Sequence, residues 1–101
     1  MKFGLTETEL NWLFSTVVVP LKSQEAKVYV FGSRANGKFK KFSDLDLCYV
    51  EKSEKPVSSK IIFEIITATQ NSTFSYKIDL VNYSELADSY RVNIDAEKIE
   101  L

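Results

Sequence analysis

A small α/β (α+β) domain, a mixed sheet with flanking helices, is the fold class that this 101-residue sequence predicts. Two patterns carry the prediction: three short β-rich runs, and between them segments whose apolar residues recur at helical spacing. Length supplies a third observation. A chain of 101 residues is expected to form a single domain over 1–101, with one modest core that removes only about 60–70% of the unfolded surface from water.

Taken in order, Thr6-Glu7-Thr8-Glu9 fits a capping box, with Thr6 as N-cap and Glu9 at N3. Leu10, Leu13, Phe14 and Val17 follow at helical spacing, which predicts a first helix running to about Val19, where Pro20 should end it. Lys22 to Glu25 is a polar connector, and Lys27-Val28-Tyr29-Val30-Phe31 reads as the first strand. Gly32 ends that strand at a sharp turn, Ser33 to Gly37 can begin a short helix, and Lys38 to Lys41 form a basic loop. Leu45–Val50 is the second strand. Lys52 to Pro56 is a turn, and Ile62, Ile65, Ile66 and Thr69 predict a helix over 58–70, although its β-branched content leaves a strand open. Asn71-Ser72-Thr73 breaks the chain before a third strand over Tyr76–Val81, and 84–101 reads as short helical turns ending in a polar tail.

Composition excludes several chemistries. The chain has no histidine, which removes Ser-His and Cys-His nucleophiles, histidine zinc sites and histidine bases together. Any enzyme here runs on carboxylates, lysines, hydroxyls or a metal held by oxygen. A net charge of -1, from 13 basic and 14 acidic residues, gives no basis for direct nucleic-acid binding. No apolar run approaches the ~20 residues that cross a bilayer, and the first residues lack a signal-peptide pattern. The single cysteine, Cys48, lies in an apolar strand and reads as a buried thiol in a reducing compartment, with the cytoplasm as the expected location.

One constellation stands out. Gly32-Ser33-Arg34-Ala35-Asn36-Gly37 is followed by Ser43-Asp44-Leu45-Asp46-Leu47, and Asp79 sits between Ile78 and Leu80. Period two puts Asp44 and Asp46 on one face of the strand, with Leu45 and Leu47 on the other, packing into the core. At roughly 5 Å and an effective dielectric of about 20, two ionised carboxylates repel by on the order of 3 kcal/mol, and a third adds to this. A divalent cation relieves the repulsion, and Mg²⁺ is typically held by a few carboxylates plus substrate phosphates. A turn offering backbone N–H groups to phosphate, beside carboxylates offering a site for Mg²⁺, suits a nucleoside triphosphate. Lys38, Lys40 and Lys41 read as a solvated basic loop, and Trp12, Phe14, Phe39 and Phe42 as core or partner contacts.

Gly32-Ser33, the ten residues Arg34 to Ser43, then Asp44-Leu45-Asp46, with Asp79 on a later strand, resembles the nucleotidyltransferase superfamily of DNA polymerase beta and kanamycin nucleotidyltransferase. The short chain looks like the minimal nucleotidyltransferase (MNT) branch, and the resemblance runs from Val28 through Val81, with a similar tail from Arg91 to Leu101. It implies a palm-like fold in which Gly32 and Ser33 hold the β- and γ-phosphates, and Asp44, Asp46 and Asp79 bind two Mg²⁺ ions. Asp79 also helps to deprotonate the acceptor hydroxyl, which attacks the α-phosphorus of ATP and expels pyrophosphate. Many members carry arginine where this chain has Asn36, and Arg34 is expected to supply the positive charge instead. The resemblance further implies an antitoxin that transfers AMP to a tyrosine of a HEPN-family helical ribonuclease toxin, in a heteromeric complex or with homo-oligomers. A non-catalytic binding antitoxin and a small-molecule (antibiotic) nucleotidyltransferase are the alternatives.

Overall fold

The computed structural model describes residues 2–101. The capping box forms as the sequence predicts. Thr6 Oγ1 accepts from the Glu9 N–H at 3.1 Å, and Glu9 Oε1 accepts from the Thr6 N–H at 2.8 Å, opening α1 (Glu7–Leu13). The helical path does not stop at Val19, however. A π-helical turn over Phe14–Val18, in which the Val19 N–H donates to the Phe14 carbonyl, leads into α2 (Val19–Ser23) and carries Pro20 in its first turn. Proline breaks a regular α-helix because it lacks an N–H and its ring strikes the carbonyl one turn back. The wider turn ahead of Pro20 changes which carbonyl faces the ring, so the helix continues.

The sheet has the order β3-β2-β1-β4. β1 (Lys27–Phe31) and β2 (Leu45–Val50) occupy their predicted runs and pair antiparallel, with Phe31 opposite Asp46. β3 (Ile78–Asn82) starts two residues later than Tyr76, and it pairs parallel to β2. A parallel neighbour demands a crossover, which α4 (Ser59–Gln70) supplies; the β-branched run is therefore helical. The last segment differs most from expectation. A 3₁₀ turn (Tyr83–Glu85) and a ten-residue helix, α5 (Asp88–Glu97), lead to a short fourth strand, β4 (Ile99–Glu100), paired antiparallel to β1. The open edge of β1 organises that strand, since Leu101 N–H donates to the Val28 carbonyl at 2.9 Å.

Alternation along the strands divides the apolar residues between two faces. Leu45, Leu47 and Tyr49, with Val28 and Val30, pack against Leu13, Val17, Val18 and Leu21 of the N-terminal helical segment and Ile65 of α4. The other face carries Phe31 and Cys48, covered by Ile94 of α5. Arg91 anchors α5, donating through Nε to the Tyr83 carbonyl at 3.1 Å and through Nη2 to the Ser84 carbonyl at 2.6 Å. Trp12 stacks on Phe74 with ring centroids 4.7 Å apart, and Phe14 also lies against the core. Phe42 does not, being 74% exposed.

Cys48 is fully buried under α5, and burial pushes its thiol up to about 11. Only the thiolate alkylates readily. Iodoacetamide at pH 8 is therefore expected to label Cys48 in denaturant but leave the native protein unlabelled over the same interval. Labelling of the native protein at the rate of a free thiol would contradict this burial.

Candidate active site

The site lies on the α5 face of the sheet, where β1 ends and β2 begins. Gly32 follows β1 with φ 73° and ψ -154°, a conformation open in practice to glycine alone, and it turns the chain into the short helix α3 (Ser33–Asn36). A Cβ at Gly32 would stand 2.6 Å from Asp46 Oδ2. The bare backbone of this turn therefore touches the carboxylate directly. The Ala35 and Asn36 N–H groups both donate to the Gly32 carbonyl, while the first N–H groups of a helix have no acceptor within it and point outward.

Asp46 and Asp79 are register partners on adjacent parallel strands and therefore project from the same face. Asp44 lies one residue ahead of β2, exposed, and Leu45 and Leu47 point into the core, as the alternation requires. Burial, then the charge of Asp79, then that of Asp44, raises the Asp46 carboxyl above its ordinary value. The half-buried Asp46 carboxyl thus feels the repulsion of two further carboxylates. Among the described residues, no three acidic or thiol side chains converge closely enough to cage a metal ion as they stand. The donor set nevertheless suits a hard divalent cation, being all carboxylate oxygen, mutually repelling and open to solvent on the Asp44 and Asp79 sides.

Arg34 does not join this group. The sequence expectation places its charge on phosphate, yet the side chain is 2% exposed and turned inward. Its Nε donates to the Ser43 carbonyl at 3.0 Å and its Nη1 to the Phe3 carbonyl at 2.8 Å. The guanidinium lies over the Tyr76 and Phe39 rings, 4.0 and 5.0 Å from their centroids. Local carbonyls and aromatic faces have captured it. Lys38, Lys40 and Lys41 are exposed, in keeping with a solvated loop.

Sequence reasoning placed no residue of α5 beside the site. A cavity of about 240 Å³ lies between Gly32, Asp46 and the α5 residues Tyr90, Asn93 and Glu97. Asn36, at the position where arginine was the expected residue, donates through Nδ2 to Glu97 Oε1 at 3.3 Å and so links α3 to α5. The spacing of Tyr90, Asn93, Ile94 and Glu97 along one helical face was the available signal.

A glycine turn against carboxylates on a small mixed sheet can offer backbone N–H groups to a phosphate on one side and oxygen ligands to a divalent cation on the other. The chain belongs to the family described as Nucleotidyltransferase domain, whose sequence model matches residues 14–101. It is similar to a "Probable protein adenylyltransferase MntA" of Haemophilus influenzae, 34% identical over 64 residues, which cover 63% of this chain and 54% of that protein. The chain thus spans about half the length of this curated relative. In fold it resembles a crystallised toxin-antitoxin with AMP-PNP, with a TM-score of 0.63 and 16% identity over 85% of this chain and 69% of the other. A mutant of the toxin-antitoxin MntA-HpeT gives a TM-score of 0.60 at 17% identity, over 96% of this chain and 72% of the other.

Proposed function

We propose that residues 1–101 act as one minimal nucleotidyltransferase unit that moves AMP from ATP to a protein hydroxyl, the acceptor being a tyrosine of a HEPN-family helical toxin. The chain then serves as that toxin's antitoxin in the cytoplasm, where the lone thiol Cys48 stays reduced. The observation that carries this reading is the register pairing of Asp46 with Asp79 beside the side-chain-free turn at Gly32. The adenylyltransferase name of the curated relative and the toxin-antitoxin complexes of similar fold support it.

In this reading Gly32 and Ser33 hold the β- and γ-phosphates, and the absent Cβ at Gly32 lets a phosphate approach the backbone closely. Asp44, Asp46 and Asp79 hold Mg²⁺, two ions when the site is complete. Bound there, Mg²⁺ supplies neutralising charge at the phosphates and polarises the reacting oxygens. Asp79, exposed at the third strand, accepts the proton of the incoming hydroxyl. The oxygen–phosphorus bond to the acceptor forms in line as the bond to pyrophosphate breaks. The carboxylates and phosphates carry the chemistry, so the lack of histidine is no obstacle.

A second reading, inhibition by occlusion without transfer, draws on the absence of a closed three-carboxylate cage among the described residues. One experiment separates the two. The helical toxin partner is incubated with this chain, ATP and Mg²⁺, then weighed intact by mass spectrometry beside an Asp44→Asn control. Gain of one or more AMP units, lost in the control, is the expected result. A stable complex with no gain in mass would leave occlusion as the function.

A further inference from the structure

Arg34 is the one buried charged side chain among the described residues. No carboxylate lies within ion-pair distance of it among those residues. A buried cation without a counter-charge is unfavourable unless other groups compensate. Here two backbone carbonyls and two aromatic faces do so, in the planar, forked geometry that guanidinium offers and ammonium does not. An apolar side chain of similar volume would fill the same space without that desolvation penalty. What the guanidinium adds is direction.

Its contacts fall beside the site residues. Ser43, whose carbonyl accepts from Nε, immediately precedes Asp44. Strand pairing begins only at Leu45, so the ladder does not hold Asp44; the Ser43 N–H and Oγ are tied to Lys40 in a tight turn, and the Arg34 bond holds the Ser43 carbonyl of the peptide that leads into Asp44. Tyr76, under the guanidinium, opens the segment leading to Asp79, and Leu45 N–H donates to the Lys77 carbonyl at 2.8 Å, tying that segment to the start of β2. Arg34 itself follows Gly32-Ser33. We infer that Arg34 is a positioning residue, one buried guanidinium that sets Asp44 and Asp79 against the Gly32 turn without touching nucleotide. The inference rests on the reading of those carboxylates as the working groups of the site.

The test compares Arg34→Met and Arg34→Lys with wild type and with Thr6→Ala, which loses only a helix cap. All are assayed well below their melting temperatures. Backbone ¹⁵N relaxation is expected to show lost order at Asp44 and at Ile78–Asp79 in both Arg34 variants, with Val30 unchanged. In AMP transfer, kcat is expected to fall about ten- to a hundredfold while KM for ATP stays within about threefold. Lysine should not restore either quantity, and Thr6→Ala should alter neither. If Arg34→Met does not fold, Arg34→Lys, which keeps the charge and most of the stem, decides. Unchanged order at Asp44 and Asp79 with kcat within twofold of wild type would overturn the inference, as would a raised KM at unchanged kcat, the mark of direct phosphate contact. If the wild-type chain transfers no AMP, the proposed function fails, and the relaxation data alone decide the role of Arg34.

Discussion

Asp46→Asn is expected to reduce AMP transfer by about a thousandfold or more while raising the melting temperature of the metal-free protein by a few degrees. The activity loss follows from removing the central donor of the carboxylate group, since metal ligation supplies several kcal/mol of transition-state stabilisation and each ~1.4 kcal/mol is tenfold in rate. The gain in stability follows from the same geometry. Burial and the charges of Asp79 and Asp44 hold the Asp46 carboxyl above its ordinary value, so ionising it is less favourable in the folded state than in the unfolded chain. Because the folded value lies above the unfolded one, the native state binds more protons through that interval. Stability present below the unfolded value is therefore lost as pH rises through the folded one. A melting series across the acidic range should show this decline in wild type and a flatter profile in Asp46→Asn. An equal or lower melting temperature for the variant at neutral pH would show that the three carboxylates do not repel as placed.

Gly32→Ala should damage both fold and function, and Gly37→Ala provides the comparison. Both glycines have positive φ, 73° and 81°, but a Cβ at Gly37 meets nothing within 4 Å, whereas one at Gly32 meets Asp46 Oδ2 at 2.6 Å. The backbone term at Gly32, where ψ is -154°, is about 1–3 kcal/mol, or roughly 10 °C for a domain of this size. Gly37 is in the milder left-handed region, where a side chain costs about 1–2 kcal/mol. The clash at Gly32 is relieved by swinging the Asp46 carboxylate away, which adds little to the stability loss but displaces the group the site needs. Gly32→Ala should therefore lose transfer activity even at temperatures where it is fully folded, while Gly37→Ala keeps it. Equal activity in the two variants would remove Gly32 from the site.

The central strands and carboxylates were legible in the sequence because each is written locally. Alternating apolar residues mark β1 and β2, and the interval from Gly32 to Asp46 holds only one short helix and one loop between two neighbouring strands. What was not legible depends on partners distant in the chain. A two-residue strand such as β4 has no periodicity of its own and exists because β1 has a free edge. Pro20 signals a helix end, and only the π turn before it shows why the helix survives. Arg34 directly follows Gly32-Ser33, yet the Phe3 and Ser43 carbonyls and the Tyr76 and Phe39 rings decide where it points. The α5 face needed the helix to be docked before its neighbours could be known.

The parallel pairing of β2 with β3 also bears on how the carboxylates come together. Antiparallel β1 and β2 can meet through a short excursion, whereas Asp79 reaches Asp46 only after α4 has formed and crossed back over the sheet. Contacts of long sequence separation require loop closure before any pairing rewards it, so they form late. A nascent or partly melted chain can thus hold Gly32 beside Asp46 without presenting Asp79. The placing of Asp79 beside Asp46 therefore depends on the β2–β3 pairing and is lost by any opening that frees β3.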